Sequence, residues 1–123
     1  MHKNTIVLDS HDLLEKSLGL RFNLPQLGEF ATGFVVRFQG KAHAYVNKCA
    51  HVPVELDWNQ GEFFTLNKDY LICATHGAHY RPDTGFCVMG PCKGKSLQML
   101  PVTEQNHQIT IHTDQLHQSH RIT

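Results

Sequence analysis

Residues 33–38 read GFVVRF and residues 42–47 read AHAYVN. Both runs are rich in β-branched and aromatic residues, and Gln39-Gly40 lies between them, so the pattern predicts a β-hairpin. A second hairpin is expected from Gly61–Leu66 and Tyr70–Ala74, which flank the polar stretch Asn67–Asp69. Leu97–Val102 and Gln108–His112 flank a polar turn at Glu104–His107, and Arg21–Leu24 reads as one more short strand. Pro82-Asp83-Thr84-Gly85 is a strong turn signal. Near the start the period changes. Ser10 can cap a helix, Asp12 suits its first turn, Leu13, Leu14 and Leu18 form an apolar side, and Gly19 ends it. One short N-terminal helix followed by many short strands with regular turns predicts an all-β sandwich or barrel.

Composition narrows the class. The chain has 123 residues, 41% of them hydrophobic, which suits a single globular domain over 1–123. Eleven basic and eleven acidic side chains cancel, so the chain lacks the net charge that would attract nucleic acid or an anionic membrane. Residues 1–10 hold no apolar run of signal-peptide length, and no stretch approaches the length of a bilayer span. A soluble, cytoplasmic protein is expected, with no membrane and no nucleic-acid partner. Four cysteines in such a chain read as metal ligands or plain thiols in preference to a disulfide framework.

The chemistry concentrates in two stretches. Residues 49–51 read CAH and residues 73–80 read CATHGAHY. The pattern is Cys49-x-His51, a gap of 21 residues, then Cys73-x-x-His76. Each pair follows the end of an expected strand, so both fall in loops at strand tips, where a rigid sheet can hold ligands near solvent. Two thiolates and two imidazoles suit a tetrahedral zinc ion or a mixed-ligand [2Fe–2S] cluster. A cluster held by Cys49, Cys73, Cys87 and Cys92 would need a spacing that this chain does not have. Cys87 reads as a buried apolar residue, and Cys92, just after Gly90-Pro91, as a neighbour of the ligand loops. The other seven histidines (His2, His11, His43, His107, His112, His117 and His120) read as surface or half-buried residues.

The two motifs and their setting resemble the Rieske iron–sulfur domain family. Asn47 before the first motif, Gly77 after the second, Tyr80, the turn Asp83-Thr84-Gly85 and the pair Gly90-Pro91 carry the resemblance. It is strongest over residues 46–97, although the gap between the motifs is longer than is usual in the family and implies a longer hairpin around Trp58–Phe64. The resemblance implies antiparallel sheets with a small cluster-binding subdomain at about 46–97. It implies a [2Fe–2S] cluster whose inner iron is held by Cys49 and Cys73 and whose outer iron is held by His51 and His76. Gly90-Pro91 would form a third loop covering the cluster, and Gly77, Tyr80 and Pro91 would surround the ligands. His79 and the basic residues Arg81, Lys93 and Lys95 would lie outside the ligand set. In respiratory members a disulfide joins the two ligand loops. The matching positions are Val54 and Thr75, so that bridge is absent, and Cys87 and Cys92 are not expected to replace it.

The ligand choice has an electrostatic consequence. Two ferric ions and two sulfides leave a doubly positive core. Four thiolates would turn it into a dianion, whereas two thiolates and two neutral imidazoles leave it neutral and easier to reduce. The function implied is single-electron transfer from a reductase to an oxygenase or similar acceptor, by a carrier that is not itself an enzyme. A Rieske oxygenase would need a second domain for mononuclear iron, and little chain follows Leu97. A Rieske subunit of a nitrite-reductase-like complex and a zinc-binding interaction module are the alternatives.

Overall fold

The computed structural model describes residues 5–50 and 54–113. Among these residues ten strands form three antiparallel sheets. β1 (Thr5–Asp9), β10 (Gln108–His112) and β9 (Val102–Gln105) make the first, in the order β1-β10-β9. β2 (Leu20–Asn23), β3 (Thr32–Phe38), β4 (Lys41–Val46) and β8 (Met99–Leu100) make the second, in that order. β5 (Leu71–Ile72), β6 (His79–Tyr80) and β7 (Cys87–Met89) make the third. The all-β, antiparallel class expected from the sequence is what forms.

The β3–β4 hairpin is the centre of the molecule. Gln39 and Gly40 both adopt positive φ (54° and 80°), the geometry that matches the twist of a two-residue hairpin. Its strands are buried on both faces, which explains the nearly unbroken apolar run. Phe34, Val36 and Tyr45 face one core, together with Leu56, Phe63, Leu71, Tyr80 and all four cysteines. Val35, Ala42, Ala44 and Val46 face a second core with Leu13, Phe22, Leu24, Leu100, Ile109 and Ile111. Phe34 stacks on Phe63 with ring centroids 3.9 Å apart, and Tyr45 Oη donates to the Pro82 carbonyl at 2.8 Å. The strand period of two thus sends alternate side chains of one hairpin into two different cores. One of those cores is the floor under the Cys/His loops.

The N-terminal helix expected from Ser10 to Gly19 does not form. Ser10–Asp12 make a single 3₁₀ turn capped by Asp9, and Leu13 leaves it in an extended conformation. Leu13 is buried, but Leu14 and Leu18 are 62% and 56% exposed, so two of the three leucines of the expected apolar side face solvent. The hairpin also satisfies the backbone that a helix would have satisfied internally. Arg37 Nε donates to Leu13 O, Lys16 N–H donates to Arg37 O at 2.8 Å, and the Glu15 carboxylate accepts from the Gln39 and Gly40 amides at 2.6 and 2.8 Å.

Two other differences have equally local causes. The strand expected over Leu97–Val102 is split at Pro101, which has no N–H to give a ladder. β8 before it pairs with β4, and β9 after it pairs with β10. β1 was not foreseen. Its Ile6 and Leu8 pack on the second core while Val7 points outward, a short alternation that the sequence does carry.

Candidate metal centre

Two loops rise from the first core. Loop one leaves β4 and runs through Cys49 to Asp57. Asn47, 4% exposed, pins its base: its Oδ1 accepts Leu56 N–H at 2.9 Å and its Nδ2 donates to Asp57 Oδ1 at 3.0 Å. Cys49 N–H donates to Val54 O at 2.8 Å, which joins the two described sides of the loop. His51 lies outside the described residues. Asp57 in turn accepts Gly61 N–H at 2.9 Å and faces Arg21 Nη1 at 3.4 Å. Arg21 also donates to Glu55 at 2.9 Å, and Thr32 Oγ1 donates to the same Glu55 oxygen at 2.6 Å. Strands β2 and β3 therefore grip the exit of loop one through charge-assisted hydrogen bonds.

Loop two leaves β5 and turns through Cys73–Ala78. Gly77 supplies the positive φ (76°) of the turn, and its N–H returns to Cys73 O at 2.8 Å. Cys73 N–H donates to Ala78 O at 2.9 Å, and Ala74 N–H donates to Leu56 O at 2.9 Å. That last bond ties loop two to loop one. His76 is exposed at the tip. His79 turns away from the tip: its Nδ1 lies 2.7 Å from Gly77 O, and since a carbonyl only accepts, that nitrogen carries the proton.

The loops bring Cys49 and Cys73 together, both buried. Burial pushes the Cys73 thiol up from its ordinary value. The His76 amide opposes the shift, the adjacent Cys49 adds to it, and the Thr75 amide opposes it again. Two neighbouring buried thiols cannot both ionise cheaply unless a cation lies between them. The Tyr80 hydroxyl, fully buried, stands 3.2 Å from Cys49 Sγ and accepts Ala50 N–H at 2.9 Å. Paired sulfurs met by amide and hydroxyl donors are a donor set suited to a metal–sulfur centre. Among the described residues no three His, Cys, Asp or Glu side chains gather as a metal site.

A third loop, residues 89–95, lies over loop two. Gly90 has φ 101°, and a Cβ there would come within 2.9 Å of Ala78 Cα, so only glycine allows this approach. Pro91 is exposed beside it. One expectation is overturned here. Cys87 and Cys92 are not plain thiols: they are joined in a disulfide. A strand end and a turn five residues later bring their Cα atoms to 5.9 Å, a distance that a disulfide spans. The bridge closes the third loop on itself and does not link loops one and two. Of the basic residues nearby, Arg81 pairs with Asp83 at 3.1 Å, while Lys93 and Lys95 are exposed.

Sequence reasoning placed the cysteines, Gly77, Tyr80 and the third loop in one region. It missed the brace formed by Arg21, Thr32, Glu55 and Asp57, whose members are up to 36 residues apart. It also missed the Cys87–Cys92 bridge, although two cysteines flanking a Gly-Pro turn were a signal for it.

The family model described as Rieske [2Fe-2S] domain matches residues 7–111. No curated protein matches the chain. Among solved structures, a chain of the complex of reduced oxygenase and oxidized ferredoxin in carbazole 1,9a-dioxygenase is similar, with TM-score 0.72 and 20% identity, covering 90% of this chain and 94% of that one. The ferredoxin of carbazole 1,9a-dioxygenase from Nocardioides aromaticivorans IC177 gives TM-score 0.67 and 20% identity, covering 86% and 93%. The terminal oxygenase of carbazole 1,9a-dioxygenase from Novosphingobium sp. KA1 gives TM-score 0.71 and 22% identity, but the match covers 90% of this chain and 30% of the oxygenase.

Proposed function

Because the chain belongs to the Rieske [2Fe–2S] domain family and its cofactor is therefore a [2Fe–2S] cluster, we propose that it is a small ferredoxin-type electron carrier. It takes single electrons from a reductase and passes them to an oxygenase-type acceptor. When bound, the cluster supplies one reversible electron at a time. The chain's own residues hold, shield and tune it, and catalyse no bond-making step. Cys49 and Cys73 hold one iron, and His51 and His76 hold the other. Gly77 turns loop two, Pro91 caps the site from the third loop, and Tyr80 donates a hydrogen bond to Cys49. Residues 46–97 act as the cluster-binding part of a single domain. The carrier works in the cytoplasm, without a nucleic-acid or membrane partner. No helix among the described residues is long and apolar enough to cross a membrane.

The observation that carries this reading is the pair of buried thiols, Cys49 and Cys73, held side by side under the Tyr80 hydroxyl. The similarity covers 93% of the ferredoxin and 30% of the oxygenase. Reductive titration with dithionite tests it. Purified, cluster-loaded protein should take up one electron per chain, bleach reversibly, and then reduce an oxygenase of the carbazole-dioxygenase type. A colourless protein holding zinc, or a reduced protein that no such oxygenase reoxidises, would overturn the reading.

A further inference from the structure

The carrier function leaves the Cys87–Cys92 disulfide without a role, yet the bridge lies in the same buried core as Cys49, Cys73, Ala78 and Tyr80. Cys87 sits on β7 directly opposite Tyr80 on β6. Cys92 sits on the far side of Gly90-Pro91. Hydrogen bonds from Cys87 N–H to Lys95 O at 2.7 Å and from Lys95 N–H to Cys92 O at 2.8 Å close the base of the loop, but its tip has little to hold it down. Met89, Gly90, Pro91 and Lys93 are exposed, and Cys92 is the buried anchor. The hydrogen bonds Lys93 N to Gly90 O and Gly94 N to Cys87 O are long, at 3.2 and 3.3 Å. An exposed tip with so few buried contacts opens readily unless it is tethered. What it covers is the turn that positions a ligand: Gly90 rests on Ala78, whose carbonyl receives the Cys73 amide.

We propose that the Cys87–Cys92 disulfide is a latch that holds the Gly90–Pro91 loop against the Gly77–Ala78 turn, keeping water out of the cluster site and slowing loss of the cluster. The proposal rests on the reading that Cys49 and Cys73 hold that cluster. With Val54 and Thr75 in loops one and two, no bridge between those loops can do the same work. Cys87 and Cys92 are themselves at most 1% exposed, so a thiolate reaches the bridge only when the loop lifts. This shielding slows attack on the bridge by dithiols in solution. Opening the latch is a two-electron exchange. A dithiol attacks one sulfur, the S–S bond breaks, a mixed disulfide forms, and the second thiol closes on it. Cys87 and Cys92 leave as thiols with two protons, and the dithiol leaves as its own disulfide.

The test compares cluster-loaded wild type, the Cys87→Ala/Cys92→Ala double variant, and wild type reduced with dithiothreitol. Thiol titration of denatured, cluster-stripped wild type should find two thiols, Cys49 and Cys73, and the dithiothreitol-treated sample should show all four cysteines. Cluster release to excess chelator, followed in the visible range well below the unfolding midpoint, should be faster without the bridge, by up to about thirtyfold for so short a closed loop. The midpoint potential should rise, because water admitted to the site favours the more negative reduced form. A brace for folding alone would lower the unfolding midpoint and leave the potential unmoved, which would overturn the latch. So would four thiols in untreated wild type, or equal release with and without the bridge. If the double variant does not fold, the dithiothreitol arm gives the same comparison on wild-type chain. Wild type lacking iron and sulfide would overturn the metal-centre reading instead.

Discussion

The Tyr80 hydroxyl stands 3.2 Å from Cys49 Sγ while accepting the Ala50 amide at 2.9 Å. On the proposed reading Cys49 is a metal-bound thiolate that can only accept, which makes the Tyr80 hydroxyl the donor. Burial pushes the Tyr80 hydroxyl far above its ordinary value, and the neighbouring Cys49 adds to the shift. The group therefore stays a donor at any working pH. A donor to the sulfur favours the reduced, more negative centre and raises its potential.

Tyr80→Phe should lower the midpoint potential. If one net hydrogen bond favours reduction by about 0.5–1.5 kcal/mol, the shift is roughly 20–65 mV for one electron. Ala78→Ser, which places a hydroxyl donor on the ligand turn between Cys73 and Tyr80, should raise it. Voltammetry of both variants at one pH checks the pair, and a midpoint unmoved in Tyr80→Phe would deny the hydrogen bond its role.

Removing a ligand should remove the centre. His76→Ala and Cys73→Ser should purify without iron, sulfide or visible colour, whereas wild type should hold two irons and two sulfides per chain, about the content of one [2Fe–2S] cluster. His79→Ala should keep both, since its ring is engaged with Gly77 O. Metal and acid-labile sulfide analysis decides this, and iron loss in His79→Ala would revise the ligand set.

The sequence showed the parts of this site that depend on near neighbours and hid those that do not. The β3–β4 hairpin was legible because Gln39-Gly40 specifies its turn locally. Cys49, Cys73 and Tyr80 were legible because short motifs carry them. The failed helix at Ser10–Gly19 looked helical by its caps and leucines, but its fate was decided by Arg37 and by the hairpin-turn amides, 24 and 25 residues away. Tertiary hydrogen bonds overrode local propensity there. The Cys87–Cys92 bridge was hidden for a different reason. Compartment arguments favour thiols, and they carry no information about a pair that burial protects from reductant.

The brace under loop one should show a graded cost. Asp57 is fully buried at its carboxylate and meets Arg21, Asn47 and the Gly61 amide. Asp57→Ala leaves Arg21 and Asn47 short of a partner and should cost about 3–5 kcal/mol. Glu55→Ala removes an ion pair at the 40%-exposed rim and should cost about 1 kcal/mol or less. Denaturant unfolding measures both, and equal costs would show that burial is not what gives Asp57 its weight.

Stability should fall as pH drops, and two of the groups responsible can be named. His43, half-buried on β4, is held below its ordinary value of 6.5, chiefly by burial and against the pull of the Phe38 backbone and Asp83. In the unfolded chain it binds its proton first, so acid favours unfolding. Its contribution is complete above pH 6.5 and is lost as pH falls through the lower, folded value. Glu104 is held below its ordinary 4.5 by Arg37, whose guanidinium meets both carboxylate oxygens at 3.0 and 2.7 Å. Its contribution is present above 4.5 and is lost as pH falls further. Denaturant midpoints of cluster-loaded protein should therefore be level at neutral pH, decline below 6.5, and decline again below 4.5. His43→Gln should shrink the first step. Glu104→Gln should be less stable by about 1 kcal/mol at neutral pH and should shrink the second step. A first decline that persists unchanged in His43→Gln would assign it to another group.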